Sequence, residues 1–163
     1  VMVVGIPNTG KSSFINRMAK RSRAQVADRP GVTRRNQWFA IGNGIELLDT
    51  PGVLWPKFDD PGVGDRLSFI GSVKDEVVDA ETMAMRLLSV LAKDYGNLLC
   101  ERYKLSQSDL SIGEYELLEL IGKKRGMLIR GGEIDTERAA STLLDEYRSG
   151  RLGKLSFERP NEA

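Results

Sequence analysis

Hydrophobic and polar positions divide the chain into two kinds of pattern. The opening run "VMVVG" is apolar without a break and stops at glycine, which predicts a buried, parallel-type strand. From Lys11 to about Lys20 the spacing turns helical, with Phe14, Ile15 and Met18 apolar. Residues 21–35 are polar, basic and broken by Pro30-Gly31, so they read as a loop. "NQWFAIGNGIELLD" predicts two strands joined at Asn43-Gly44, with Trp38 and Phe39 as strand core. "DTPGVLWPKFDDPGVGDR" follows, dense in proline and glycine, and reads as an irregular segment in which Trp55 and Phe58 pack locally.

After about Leu67 the pattern changes and becomes mainly helical. In "DAETMAMRLLSVLAK", Asp79 is placed as an N-cap, and Ala84, Leu87, Leu88 and Leu91 share one face. "SIGEYELLELIGKKRG" predicts a second helix with Leu117, Leu118 and Ile121 inward and a stop near Gly126. "DTERAASTLLDEYRSG" is capped by Asp135, striped by Ala140, Leu143, Leu144 and Tyr147, and ended by Gly150. "GKLSFERP" reads as a short terminal strand or an extended tail. The predicted division is between residues 1–71 and 72–163, with the boundary near 67–78.

Charge and composition add little to this picture. The net charge is +1, which gives no global signature for nucleic acid or a membrane surface. Residues 1–71 carry ten Lys/Arg and six Asp/Glu, net +4; the remainder is net −3. The lone Cys100 cannot form an internal disulfide, and without a histidine in the chain to activate it the expected thiol is buried and inert. No apolar run approaches the roughly 18–20 residues of a membrane span, and no signal peptide is visible. The expectation is a cytoplasmic protein without a membrane partner. A chain that starts inside a strand, without Met, is expected to be a fragment or a trimmed form.

The chemistry is concentrated in residues 5–12. Gly5-Ile6-Pro7-Asn8-Thr9-Gly10-Lys11-Ser12 fits G-x-x-x-x-G-K-[ST], with a strand before it and a helix after it. The two glycines let the backbone turn so that successive N–H groups face an anion, and the helix adds the positive end of its dipole. The expected nucleotide-binding set is Asn8, Thr9, Gly10, Lys11, Ser12 and Ser13. The Lys11 ammonium reaches the β/γ-phosphates and the Ser12 hydroxyl is a Mg²⁺ ligand.

The loop alone does not choose between adenine and guanine. "DTPG", Asp49 to Gly52, follows an apolar strand whose end would face the phosphates. Asp49 is expected to hold Mg²⁺, and the Gly52 N–H to report on a γ-phosphate. Thr33, between helix and hairpin, has the position to close over Mg²⁺ when a third phosphate is present.

In content and order, "GIPNTGKSS", "PGVT" and "DTPG" resemble the first three motifs of the GTPase branch of phosphate-loop NTPases. The guanine-reading Asn-Lys-x-Asp and the later Ser-Ala-Lys-like segment are absent. Either the domain lacks base specificity, or the base-reading half lies upstream in a circular permutation, which moves chain ends while keeping the site. "GIPNTGKSSFIN", "RPGVTR", "LLDTPGVLWPKF" and "RSGRLGKLSFERP" resemble ribosome biogenesis GTPase A, the YlqF family of circularly permuted GTPases. The resemblance implies a partial, circularly permuted α/β P-loop NTPase domain followed by an all-α C-terminal domain that binds RNA. It also implies GTP hydrolysis to GDP and phosphate during late assembly of the large ribosomal subunit, with that subunit's precursor and its rRNA as partners.

Catalysis would rest on Lys11, Thr33 and Asn8. Many GTPases place Gln after D-x-x-G; here Val53 and Leu54 follow, and neither polarises water. Related GTPases with an Asn at the place of Asn8 use it to bind K⁺ beside the phosphates, and the resemblance extends that role to Asn8; the alternative is an amide that only stabilises the loop. The basic run Lys20, Arg21, Arg23, Arg29, Arg34 and Arg35 reads as a solvated loop or as an rRNA phosphate contact. Two rival readings stand beside the GTPase: an ATPase with a similar loop, and a non-catalytic helical RNA- or protein-binding module with a vestigial nucleotide loop.

Overall fold

The computed structural model describes residues 1–19, 33–54, 60–73 and 79–157. They fall into two units, residues 1–74 and 75–163.

The first unit holds β1 (Met2–Val3), α1 (Lys11–Met18), β2 (Gln37–Gly42), β3 (Ile45–Asp49) and α2 (Pro61–Phe69). The sheet order is β1-β3-β2. β2 and β3 form an antiparallel hairpin in which Phe39 faces Leu47 and Gln37 faces Asp49. The turn works because Asn43 and Gly44 both take positive φ, 53° and 72°, which matches the twist of the strands. β1 runs parallel to β3, pairing Val3 with Asp49. Ile15, Phe39 and Leu47 form the core of this unit, with Val3 and Ile41 packed against it.

Four expectations change here. β1 is not buried: Val1, Met2 and Val4 are 75%, 59% and 67% exposed, because among the described residues β3 is its only strand neighbour. Phe14 and Met18 are exposed, and α1 buries Ile15 alone. Strand alternation buries Phe39 and turns Trp38 outward, 63% exposed. The segment read as irregular contains α2. Asp60 caps it by accepting from the Gly62 N–H at 2.8 Å, and proline follows at the first helical position, where a missing N–H costs nothing. Trp55 and Phe58 lie outside the described residues.

The second unit holds α3 (Ala80–Asp94), α4 (Gly96–Tyr103), a 3-10 turn (Gln107–Ser111), α5 (Glu114–Lys124) and α6 (Thr136–Arg148). Asp79 and Asp135 cap α3 and α6 through the Thr82 and Arg138 amides, as their sequence positions predict. Ala84, Leu87, Leu88 and Leu91 of α3 are buried, as are Leu117, Leu118 and Ile121 of α5 and Ala140, Leu143 and Leu144 of α6. α5 ends at Lys124, two residues before Gly126 at φ 67°. Cys100 on α4 is half-buried rather than buried. Residues 153–157 form no strand; Ser156 donates its N–H to the Tyr95 hydroxyl at 3.0 Å, and Phe157 stacks on Tyr147.

Glu146 is the unexpected member of this core. It is 4% exposed, next to a Tyr147 that is only half-buried. Arg102 binds both of its carboxylate oxygens, Tyr103 Oη donates to Oε2 at 2.8 Å, and Arg125 Nη2 donates at 2.9 and 3.1 Å. The Arg125 guanidinium also lies 5.2 Å from the Tyr103 ring centre. The Arg102 hydrogen bond, with help from Tyr103 and Arg125, holds the Glu146 carboxyl below its ordinary range. Burial, then the bond to Glu146, pushes the Tyr103 hydroxyl up. One carboxylate thus braces α6 against α4 and the end of α5.

Candidate phosphate and metal site

The site forms where α1 crosses the carboxyl end of β3. Alternation along β3 puts Leu47 and Asp49 on one face, and both are buried. On α1, Ser12 and Ile15 are three residues apart and share a face. Ile15 packs with Leu47, and Ser12, one turn earlier, meets Asp49. The Ser12 hydroxyl donates to Asp49 Oδ2 at 2.8 Å and lies 3.0 Å from Thr33 Oγ1.

Asp49 is 1% exposed, yet its Oδ1 has no hydrogen-bond partner among the described residues. A buried carboxylate oxygen left unpaired is costly unless a ligand supplies the partner. Two hydroxyls and one carboxylate, all oxygen, are the donor set that Mg²⁺ takes alongside water and phosphate. The residues present therefore fit that ion. Among the described residues no group of three or more His, Cys, Asp or Glu is placed to hold a metal ion, here or elsewhere.

The adjoining loop is shaped for an anion. Gly10 caps α1 in the left-handed region at φ 83°, and Asn8 is also left-handed at φ 58°. The first turn of α1 carries no acidic residue and its cap has no side-chain bond. The backbone amides of Asn8, Gly10, Lys11, Ser12 and Ser13 donate to no carbonyl among the described residues, while a turn spans Pro7 and Asn8. The helix dipole and these open donors favour negative charge at one place. Lys11 Nζ donates to the Ile6 carbonyl at 2.7 Å, and Thr9 Oγ1 donates to the same carbonyl at 2.9 Å. Partial burial lowers the Lys11 pKa from its ordinary value, and nearby Asp49 partly opposes this.

Of the residues singled out in the sequence, Asn8, Thr9, Gly10, Lys11, Ser12 and Ser13 lie on this loop and turn, and Thr33 and Asp49 join Ser12. Gly52 does something steric as well. A Cβ there would fall 2.4 Å from Pro7 Cα and N, so the segment after β3 presses directly on the loop backbone. The Asn8 side chain faces the Ile70 carbonyl, Nδ2 to O 3.5 Å, and its Oδ1 has no hydrogen-bond partner among the described residues. Val53 is 73% exposed and lines an open groove of about 440 Å³ with Val4, Ile6, Thr50 and Pro51. Arg34 and Arg35 are exposed; Lys20, Arg21, Arg23 and Arg29 lie outside the described residues.

Two participants escaped the sequence reading. Thr50 Oγ1 donates to the Val3 carbonyl at 2.7 Å and pins the start of the DTPG segment to β1. Ser72, buried, donates from Oγ to the Pro7 carbonyl at 2.6 Å, across 65 residues. No local pattern marks either one.

Similarity to known proteins gives the family. The family described as 50S ribosome-binding GTPase matches residues 1–125. Ribosome biogenesis GTPase A of Bacillus cereus is 47% identical over 161 residues, 99% of this chain and 54% of that protein. The protein of the same name from Thermotoga maritima is 34% identical over 162 residues, 99% of this chain and 57% of its own. The chain thus spans about half the length of the curated relatives it matches. A GDP-bound structure of YlqF aligns with a TM-score of 0.68 at 31% identity, covering 99% of this chain and 61% of that one. GNP-bound YlqF from T. maritima aligns at 0.62 and 29% identity, covering 100% and 60%. With the family match over most of its length, the chain belongs to the 50S ribosome-binding GTPase family.

Proposed function

We propose that the chain is the phosphate-binding part of a GTP-hydrolysing assembly factor for the large ribosomal subunit, with residues 1–71 as part of a circularly permuted GTPase domain and 72–163 as a helical RNA-binding domain. The observation that carries the reading is the convergence of Ser12, Thr33 and Asp49 beside open loop amides, with Asp49 Oδ1 buried and unpaired. The relatives' names supply the ribosomal context.

Each residue has a definite task in this reading. The Asn8–Ser13 amides and the Lys11 ammonium bind the phosphates of GTP or GDP and offset the charge that spreads over them during transfer. Lys11, parked on the Ile6 carbonyl, exchanges that acceptor for a phosphate oxygen. Ser12, Thr33 and Asp49 would hold Mg²⁺, which draws charge from the phosphate oxygens. Thr33 joins when the third phosphate is present, and Gly52 reports the same group through its N–H. Val53 cannot orient water, so the catalytic group comes from elsewhere; the free Oδ1 of Asn8 is suited to a K⁺ ion in that role. GTP-state binding to rRNA in the cytoplasm involves the basic segment that ends at Arg34 and Arg35, and hydrolysis times release from the particle. No helix among the described residues is long and apolar enough to cross a membrane.

The test uses the full-length protein. Labelled GTP turnover and sedimentation with large-subunit precursors are measured for the wild type and Lys11→Ala. Loss of both in the variant supports the switch. Unchanged association and turnover would mean a vestigial loop, and equal competition by ATP would mean an ATPase. In the same sedimentation assay, an Arg34/Arg35 double alanine variant should show a salt slope shallower by about two, roughly one per lost phosphate contact; an unchanged slope removes these arginines from the interface.

A further inference from the structure

We propose that Ser72 is a positioning residue for the phosphate loop: its bond to the Pro7 carbonyl turns the Asn8 amide toward the nucleotide's phosphates. The proposal rests on the reading of residues 5–12 as a phosphate cradle and adds to it a residue from outside every motif of the chain.

The argument begins with the peptide plane. In a trans peptide the C=O and the following N–H point in opposite directions. Pro7 O accepts from Ser72 Oγ at 2.6 Å, so the Asn8 N–H points away from Ser72. The preceding carbonyl behaves differently. Ile6 O accepts from Lys11 Nζ and Thr9 Oγ1 and so faces the side where the lysine ammonium sits. Successive carbonyls therefore alternate, Ile6 toward the ammonium and Pro7 toward Ser72. The Asn8 N–H has no carbonyl acceptor among the described residues and is free for an anion.

The loop needs such an anchor. Asn8 sits at φ 58°, in the left-handed region that asparagine tolerates better than other non-glycine residues but still at some cost, so contacts that fix the loop help to hold it there. Gly52 closes one side of Pro7 by direct backbone approach. On the carbonyl side, Ser72 supplies the hydrogen bond and the Asn8 side chain adds a weak contact to Ile70 O. Ser72 is 1% exposed and Phe69 2%, so the donor is held on a packed segment rather than a loose one. Its own N–H is spent on the Leu67 carbonyl at 2.9 Å, which closes the end of α2 and fixes the side chain's starting point.

The test compares full-length wild type, Ser72→Ala and Ser72→Thr, with GDP as the probe. Ser72→Ala leaves the part-buried Pro7 carbonyl without its donor, and GDP affinity should fall about tenfold. Ser72→Thr keeps the hydroxyl and should recover most of the loss. The second readout is the Asn8 amide proton in ¹H–¹⁵N spectra. In the wild type it should move downfield on adding GDP; in Ser72→Ala that shift should be lost while the Lys11 amide still responds. Unchanged GDP affinity in Ser72→Ala overturns the proposal. So does a lowered affinity with the Asn8 shift intact, which would make Ser72 a structural brace only. Failure of the wild type itself to bind GDP would instead bring down the nucleotide reading, and this inference with it.

Discussion

Ser12 and Asp49, 37 residues apart, meet through a 2.8 Å hydrogen bond that occupies one carboxylate oxygen and leaves the other buried and, among the described residues, unpaired. That free oxygen is the direct expectation of a cation. Asp49→Asn keeps the shape of the group and removes its charge. The Mg²⁺-dependent gain in GTP affinity should fall by at least about tenfold, with Mg²⁺-free binding little changed. Nucleotide titrations with and without Mg²⁺ check this, and an equal Mg²⁺ dependence in the variant would place the ion elsewhere.

Gly52 touches the loop backbone where no side chain fits. The added Cβ of Gly52→Ala would lie 2.4 Å from two backbone atoms of Pro7 and 2.8 Å from Ile6 C, and none of these is a flexible side-chain end. The expected cost of overpacking is about 1–3 kcal/mol, taken up by displacement of the loop. GDP affinity and the melting temperature should both drop. A variant that binds GDP normally would show that the loop tolerates the shift.

Asn8 presents its amide nitrogen to Ile70 O, and among the described residues its carbonyl oxygen has no partner. If that oxygen holds K⁺ beside the phosphates, GTP turnover by the full-length enzyme should be faster in KCl than in NaCl, and Asn8→Ala should remove the difference. The KCl-to-NaCl rate ratio is the measurement. A ratio equally above one in both proteins would clear Asn8 of the role.

Glu146 ties three cationic or hydroxyl donors together in the helical unit. Glu146→Gln should cost about 2–4 kcal/mol, because the two guanidiniums lose a buried counter-charge. The pH dependence carries a second signature. The folded carboxyl lies below its ordinary value of 4.5, so its stabilisation is complete above that pH and is lost as the pH falls through the folded value. Urea unfolding of the whole chain between about pH 6 and about pH 3 should show a steeper acid loss in the wild type than in Glu146→Gln. Parallel curves would mean the network is not what acid breaks.

Local signals made much of this molecule legible. The G-x-x-x-x-G-K-[ST] spacing, the Asn43-Gly44 turn and the Asp79 and Asp135 caps each depend on a few adjacent residues, and each forms where the spacing predicts. α2 was hidden because Asp60-Pro61-Gly62 reads equally well as a turn; the capping bond that decides the matter is only one hydrogen bond long. The exposed β1 was misread because an apolar run says that a strand seeks neighbours, not how many it has.

The sequence by itself determined which residues bring the conformational freedom, charge and oxygen atoms to the proposed phosphate and Mg²⁺ site, and the helical stripes that bury Leu87, Leu118 and Leu143. Tertiary structure alone decided which of those atoms meet. Ser12 finds Asp49 only because α1 lies over β3, Ser72 reaches Pro7 across 65 residues, and Glu146 is buried because Arg102 and Arg125 come to it from other helices. Periodicity reports the direction a side chain faces along its own element. A hydrogen bond between elements depends on how two faces are packed, and no local window of residues contains that distance.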